Sequence, residues 1–127
     1  MKVLALDYGR ARTGVAVSDP TGTIARPVGV VKGGDVARIA ELVEQHGAER
    51  VVVGMPLTLR GERGEQARET QAFIDALAAA TGVPVVSFDE RFTTDLAEQT
   101  ASASAEQDAH AAAHLLSSYL RWASARA

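Results

Sequence analysis

The sequence of 127 residues contains no cysteine, which excludes disulfides, thiol catalysis and cysteine-built zinc sites. No hydrophobic run reaches membrane-spanning length. The N-terminus, MKVLALDYGR, meets an aspartate at position 7, too early for a signal peptide. These absences predict a cytoplasmic location and no membrane partner. An excess of positive charge is missing too: 13 basic residues face 16 acidic ones, a formal net charge of −3. A histone-like protein, whose affinity comes from bulk positive charge, is thereby excluded, whereas a local basic patch is not. Lysine is scarce, with Lys2 and Lys32 alone, so arginine carries nearly all the basic charge. There is no internal repeat and no linker.

What is present is ordinary for a globular chain: 46% apolar and 23% charged residues, a balance that disfavours disorder or a coiled coil. The length predicts one domain over residues 1–127, with no room for two nucleotide-clamping lobes.

Lys2–Asp7 reads as a buried strand, and Tyr8–Gly14 breaks it with two glycines. Val15–Ser18 reads as a second strand. Asp19-Pro20-Thr21-Gly22 suits a type I turn, and Thr23–Val31 reads as a third strand. Val36, Ile39, Ala40 and Val43 then fall at helical spacing, with Gly47 as the stop. Arg50–Met55 is a strand closed by Pro56, and residues 57–64 are a polar loop. Glu65–Ala80 is a helix with Phe73, Ile74 and Leu77 on one face, Val83–Phe88 a fifth strand. A final helical region runs from about Thr94, interrupted around Ala101–Ser104. Strands separated by helices pair in parallel through right-handed crossovers. The expected fold is α/β: a mixed five-stranded sheet, antiparallel over its first three strands, with helices on both faces.

In such sheets chemistry gathers at the carboxyl ends of the parallel strands. Asp7 ends strand 1, and Asp89 and Glu90 end strand 5. Asp108 is a third candidate. Taking it as zero at 100° per residue, Ala112 falls at about 40°, Leu115 at about 340° and Tyr119 at about 20°. Asp108 therefore lies on the apolar stripe that faces the sheet, where a charge needs a partner. Ala111 and Ala112 would let the helix approach closely. Converging carboxylates repel one another, and a divalent cation relieves that repulsion. Mg²⁺ and Mn²⁺ prefer such hard oxygen ligands, and a pair of them can drive phosphodiester cleavage. Each acid has a plainer reading: Asp7 as a turn residue, Asp89 or Glu90 as the partner of Arg91, Asp108 as a helix-start residue.

Asp7-Tyr8-Gly9-Arg10-Ala11-Arg12-Thr13-Gly14-Val15-Ala16 resembles the opening motif of the YqgF/RuvX family. Val52-Val53-Gly54-Met55-Pro56-Leu57, with Gly61 and Gly64-Glu65-Gln66-Ala67, resembles its second block. Phe88-Asp89-Glu90-Arg91-Phe92-Thr93-Thr94 resembles the third. Asp108 with Ala111-Ala112 and Leu115-Leu116 resembles the last. The blocks occur in order over nearly the whole chain. The resemblance implies an RNase H-like fold and a metal-dependent nuclease, a hydrolase acting on ester bonds with Mg²⁺ or Mn²⁺. It implies 5′-end processing of the 16S rRNA precursor, with Holliday-junction-resolvase-like action on DNA as the alternative. The implied partners are precursor rRNA, structured or single-stranded DNA and the ribosomal subunit, and the chain would act as a monomer or homodimer. Catalytic and metal-binding roles fall to Asp7, Glu90 and Asp108, with Asp89 as the alternative ligand. Two departures stand out. The strand after the first helix, where RuvC-like proteins commonly carry an acid, ends here in Gly54-Met55-Pro56. Where many relatives have a basic residue before the last aspartate, this chain has residues 101–107 without one.

Arg10, Arg12 and Arg91 are candidates for binding substrate phosphate, by the bidentate contacts that guanidinium favours, or else for neutralising neighbouring acids. Arg60 and Arg63 could clamp a nucleic-acid backbone or simply be solvated, and Gly64 could open a phosphate-facing helix. His110 and His114 share a zinc-helix spacing, but no glutamate follows His110, and both fall opposite Asp108. Thr93 and Thr94 suit helix capping; Tyr119 and Trp122 suit the core stripe. Asp7-x-Gly9 also resembles the phosphate loop of actin-like ATPases, whose second lobe the length does not accommodate. A non-catalytic RNA-binding ribosome-assembly factor is the remaining alternative, disfavoured by the complete acidic set.

Overall fold

The computed structural model describes residues 1–57, 64–92 and 105–126. Its elements are β1 (Val3–Asp7), β2 (Arg12–Ser18), β3 (Ala25–Lys32), α1 (Val36–His46), β4 (Arg50–Met55), α2 (Glu65–Ala80), β5 (Val85–Asp89), a 3₁₀ turn over Glu90–Phe92, and α3 (Ala105–Ala125). The five strands form one sheet in the order β3-β2-β1-β4-β5. The β1–β2 and β2–β3 pairs are antiparallel; β1–β4 and β4–β5 are parallel. This is the expected mixed sheet. No helix among the described residues is long and apolar enough to cross a membrane.

Side chains alternate across each strand, and that alternation builds two cores. Leu4, Leu6, Val15, Val51 and Val53 pack on one face against α1 and α2, with Ile39, Phe73 and Leu77. Val3, Ala5, Ala16, Val52 and Phe88 pack on the other against α3, with Ala112, Leu115, Leu116 and Tyr119. Strands covered on both sides read as near-continuous apolar runs, which is why β1 and β4 stand out in the sequence.

Local chemistry sets the boundaries. The Asp19 turn closes with a hydrogen bond from the Gly22 amide to the Asp19 carbonyl at 3.0 Å, and Gly22 has φ +71°. The Asp19 carboxylate accepts the Thr23 and Ile24 amides at 2.8 and 2.9 Å, so β3 begins at Ala25 rather than Thr23. Helix α1 is capped by Asp35, which accepts the Arg38 amide at 3.1 Å. It ends at Gly47 with φ +65°, the left-handed stop that glycine favours. Pro84 delays β5 to Val85 because it has no amide to donate, although its carbonyl accepts the Val51 amide at 2.9 Å.

Two expectations need correction. Thr13 and Gly14 do not belong to the loop: Gly14 pairs with Asp7 and Val30, so β2 begins at Arg12. Trp122 is 39% exposed, at the margin of an aromatic cluster with Phe88 and Tyr119, and Arg126 lies over its ring. Tyr119 is buried as expected, and its hydroxyl accepts from Arg50 Nη1 at 3.0 Å. The expected helix start near Thr94, the break at 101–104, the capping roles of Thr93 and Thr94, and Gly61 all lie outside the described residues.

Candidate active site

Register and alternation place the acidic residues. Asp7 continues the face of Val3 and Ala5, which packs toward α3. It pairs with Gly14 on β2, and it lies one step beyond the Leu6–Val53 pair, level with Gly54 on β4. Gly54 in turn pairs with Phe88 on β5. Gly14, Asp7, Gly54 and Phe88 thus form one row on the α3 face, near the carboxyl ends of the three parallel strands.

Two members of that row are glycines, and each makes room for an acidic residue. A β-carbon at Gly14 would stand 1.9 Å from the Asp108 carbonyl oxygen, so the missing side chain lets α3 lie directly on β2. The buried Ala109 and Ala112 complete this approach. Asp108 is thereby placed over β2 at the row that holds Gly14 and Asp7. A β-carbon at Gly54 would stand 2.6 Å from Glu90 Oε1 and 3.0 Å from its Cγ. The Glu90 side chain folds back from the 3₁₀ turn into the space that a β4 side chain would fill. Neither glycine was marked by the sequence as a site residue; its only signal was membership of the Asp7 and Gly54-Met55-Pro56 blocks.

Asp89 faces the other way. It pairs with Met55, which belongs to the α1/α2 core. Its carboxylate accepts the Arg91 amide at 2.9 Å and Arg91 Nε at 2.9 and 3.1 Å. Arg91 Nη2 donates to Asp89 Oδ2 at 2.5 Å. These bonds hold the Asp89 carboxyl below the usual aspartate range, against a smaller opposing effect of burial.

The loop arginines part to opposite faces. Arg10 reaches α2, where Nε donates to Glu69 at 2.8 Å and Nη2 to the other Glu69 oxygen, with Glu65 at 3.7 Å. The Arg10 hydrogen bonds hold the Glu69 carboxyl below its ordinary range. A cleft of about 500 Å³ lies here, lined by Tyr8, Gly9, Arg10, Glu65, Gln66 and Glu69, away from the Asp7 face. Arg12 turns instead to α3, and its Nε lies 2.8 Å from Asp108 Oδ2. All three candidate phosphate-binding arginines among the described residues thus meet a carboxylate of the same chain. Arg60 and Arg63 lie outside the described residues.

The loop itself is braced. Thr13, fully buried, donates to the Gly33 carbonyl at 2.8 Å, and the Gly33 amide donates to Ala11 at 2.8 Å. The Tyr8 ring stacks on Phe73 at 4.5 Å. His110 is exposed and His114 half-buried.

Asp7, Glu90 and Asp108 therefore share one face at one edge of the sheet. Their oxygens suit a hard divalent cation, and the space above Gly54 admits the Glu90 carboxylate. Among the described residues no three acidic or histidine side chains stand as a ready group for a metal ion; Asp108 is bound to Arg12.

A mixed sheet of this order, with acids at the ends of its parallel strands, defines an α/β protein of the RNase H-like class. Thermus thermophilus RuvC in complex with a Holliday junction substrate has the same fold, with TM-score 0.62 and 22% identity over 96% of each chain. The profile of the RuvX family, described as Holliday junction resolvase, matches residues 1–122, and the chain belongs to that family. A relative from Chloroflexus aurantiacus strain J-10-fl, named "Putative pre-16S rRNA nuclease", is 44% identical over 130 residues, covering 93% of this chain and 85% of its own. One of the same name from Chloroflexus aggregans is 50% identical over 101 residues, covering 76% and 71%.

Proposed function

We propose that this chain is a divalent-metal-dependent nuclease that processes the 5′ end of the 16S rRNA precursor in the cytoplasm. The observation that carries the reading is the placement of Asp7, Glu90 and Asp108 on one face of one sheet edge. Family membership and the names of the relatives support the reaction class and the RNA substrate.

Asp7, Glu90 and Asp108 would hold Mg²⁺ or Mn²⁺, with Asp89 kept out by its turn to the other face. Bound there, a cation pair supplies the Lewis-acid charge that phosphodiester hydrolysis needs. The protein's own groups do the rest. Asp7 ends the central strand β1 and pairs with Gly14, so its backbone is held by the sheet rather than by a loop. Glu90 reaches the same region from the 3₁₀ turn because Gly54 leaves space. Arg12, paired with Asp108 in this structure, would on release meet the phosphate oxygens of a bound strand, a contact guanidinium makes in bidentate fashion. Arg91 contributes through Asp89: it braces the turn that presents Glu90.

The test is a cleavage panel with Mg²⁺ or Mn²⁺, using 5′-extended 16S precursor RNA, single-stranded RNA, duplexes and a four-way DNA junction. Metal-dependent shortening of the precursor RNA is the expected result. Cleavage of the junction alone would instead favour the resolvase activity in the family's description. Cleavage of none would contradict the assignment.

A further inference from the structure

We infer that Arg12 competes with the metal for Asp108, so that cation loading and phosphate binding are coupled through this one side chain. The inference rests on the metal-binding reading above and says how that site assembles. Arg12 Nε lies 2.8 Å from Asp108 Oδ2, and the two side chains are 34% and 25% exposed. The guanidinium thus occupies the carboxylate that the third metal ligand would offer. A divalent cation beside that carboxylate repels the guanidinium at short range, so Arg12 and the cation do not share Asp108.

The partial exposure of the pair sets the scale of the competition. Contacts of this kind are weak, so Arg12 delays the metal without excluding it. Asp108 itself cannot move far, because its backbone is pressed onto Gly14. Arg12, on a long flexible stem at the start of β2, is the partner that swings. Released, it stands beside the loaded site as a free cation for a substrate phosphate. Coupling is reciprocal: a phosphate that draws Arg12 away raises the metal affinity.

Titration of the full chain with Mn²⁺, followed by electron paramagnetic resonance and calorimetry, tests this without any cleavage assay. Arg12→Ala should bind Mn²⁺ about threefold to fivefold more tightly than the wild type. Arg12→Lys, which keeps a cation near Asp108, should fall back toward the wild type. In an Asp108→Asn background, removing Arg12 should leave the affinity unchanged. Wild-type Mn²⁺ binding that is unaltered or weakened by Arg12→Ala overturns the competition and leaves the metal site standing. No Mn²⁺ binding by the wild type or by Arg12→Ala overturns both.

Discussion

The Glu90 carboxylate occupies the place of the side chain that Gly54 lacks: a β-carbon at Gly54 would lie 2.6 Å from Glu90 Oε1 and 3.2 Å from its Cδ. An acid from the end of β5 thus fills the position above β4. The glycine in the Gly54-Met55-Pro56 ending of β4 thereby leaves room for the Glu90 carboxylate.

Gly54→Ala follows directly. The added methyl group meets the far end of a flexible side chain, so Glu90 swings aside and the fold survives. Stability should change by less than about 1 kcal/mol. Mn²⁺ affinity and cleavage should fall about 10- to 100-fold, the cost of misplacing a ligand through its support. Thermal denaturation and a metal titration on the same sample separate the two effects.

Gly14→Ala should behave in the opposite way. Its methyl group would stand 1.9 Å from a backbone oxygen of α3, which cannot rotate away. The helix must lift from β2, and overpacking of this kind costs at least about 2 kcal/mol. Urea denaturation should show a lowered midpoint with an unchanged slope.

Asp19 supplies a pH signature. The Ile24 amide, then the Thr21 hydroxyl and the Thr23 amide, lower its carboxyl from 3.8 to about 2. A depressed acid stabilises the fold in full above its unfolded value, and that stability disappears as the pH falls through the folded value. Asp19→Ala should therefore lower Tm at pH 7. The difference from the wild type should shrink as the pH falls from about 3.8 toward about 2. A Tm difference that stays constant over that interval would show that the carboxylate charge does not brace the turn.

Arg12→Ala should weaken RNA binding across sequences, because a phosphate contact carries no base information. The magnitude of the salt slope for a single strand should drop by about 0.7. Fluorescence anisotropy over a salt series reads both. An unchanged slope means that Arg12 does not reach phosphate.

Much of this protein was legible in its sequence, for physical reasons that can be named. Arg50–Met55 and Glu65–Ala80 match the observed β4 and α2 because unbroken apolar runs and clean helical spacing are local signals. The 19–22 turn was legible from Pro20 and Gly22. The opposed faces of Asp89 and Glu90 were foreseeable from strand alternation. What the sequence hid depends on distant partners. Gly14 read locally as a chain-breaking residue and Gly54 as an ordinary strand position; their purpose shows only when α3 lies on one and Glu90 on the other. Likewise Arg10 and Arg12 look equivalent in the loop. Their separation follows from Glu69, 59 residues away in sequence from Arg10, and from Asp108 on α3. The net charge of −3 carries the same lesson, since the arginines and acids around this edge are arranged in pairs that a total does not record.

The central claim is that the acids at this sheet edge hold the metal that cleaves RNA, and Asp7→Asn tests it most directly. The substitution keeps the shape of a residue on a rigid central strand while removing its charge and the repulsion among the three acids. The account predicts that Asp7→Asn folds with an unchanged or raised Tm and loses metal-dependent cleavage of 5′-extended 16S precursor RNA. Cleavage at the wild-type rate by folded Asp7→Asn would contradict it.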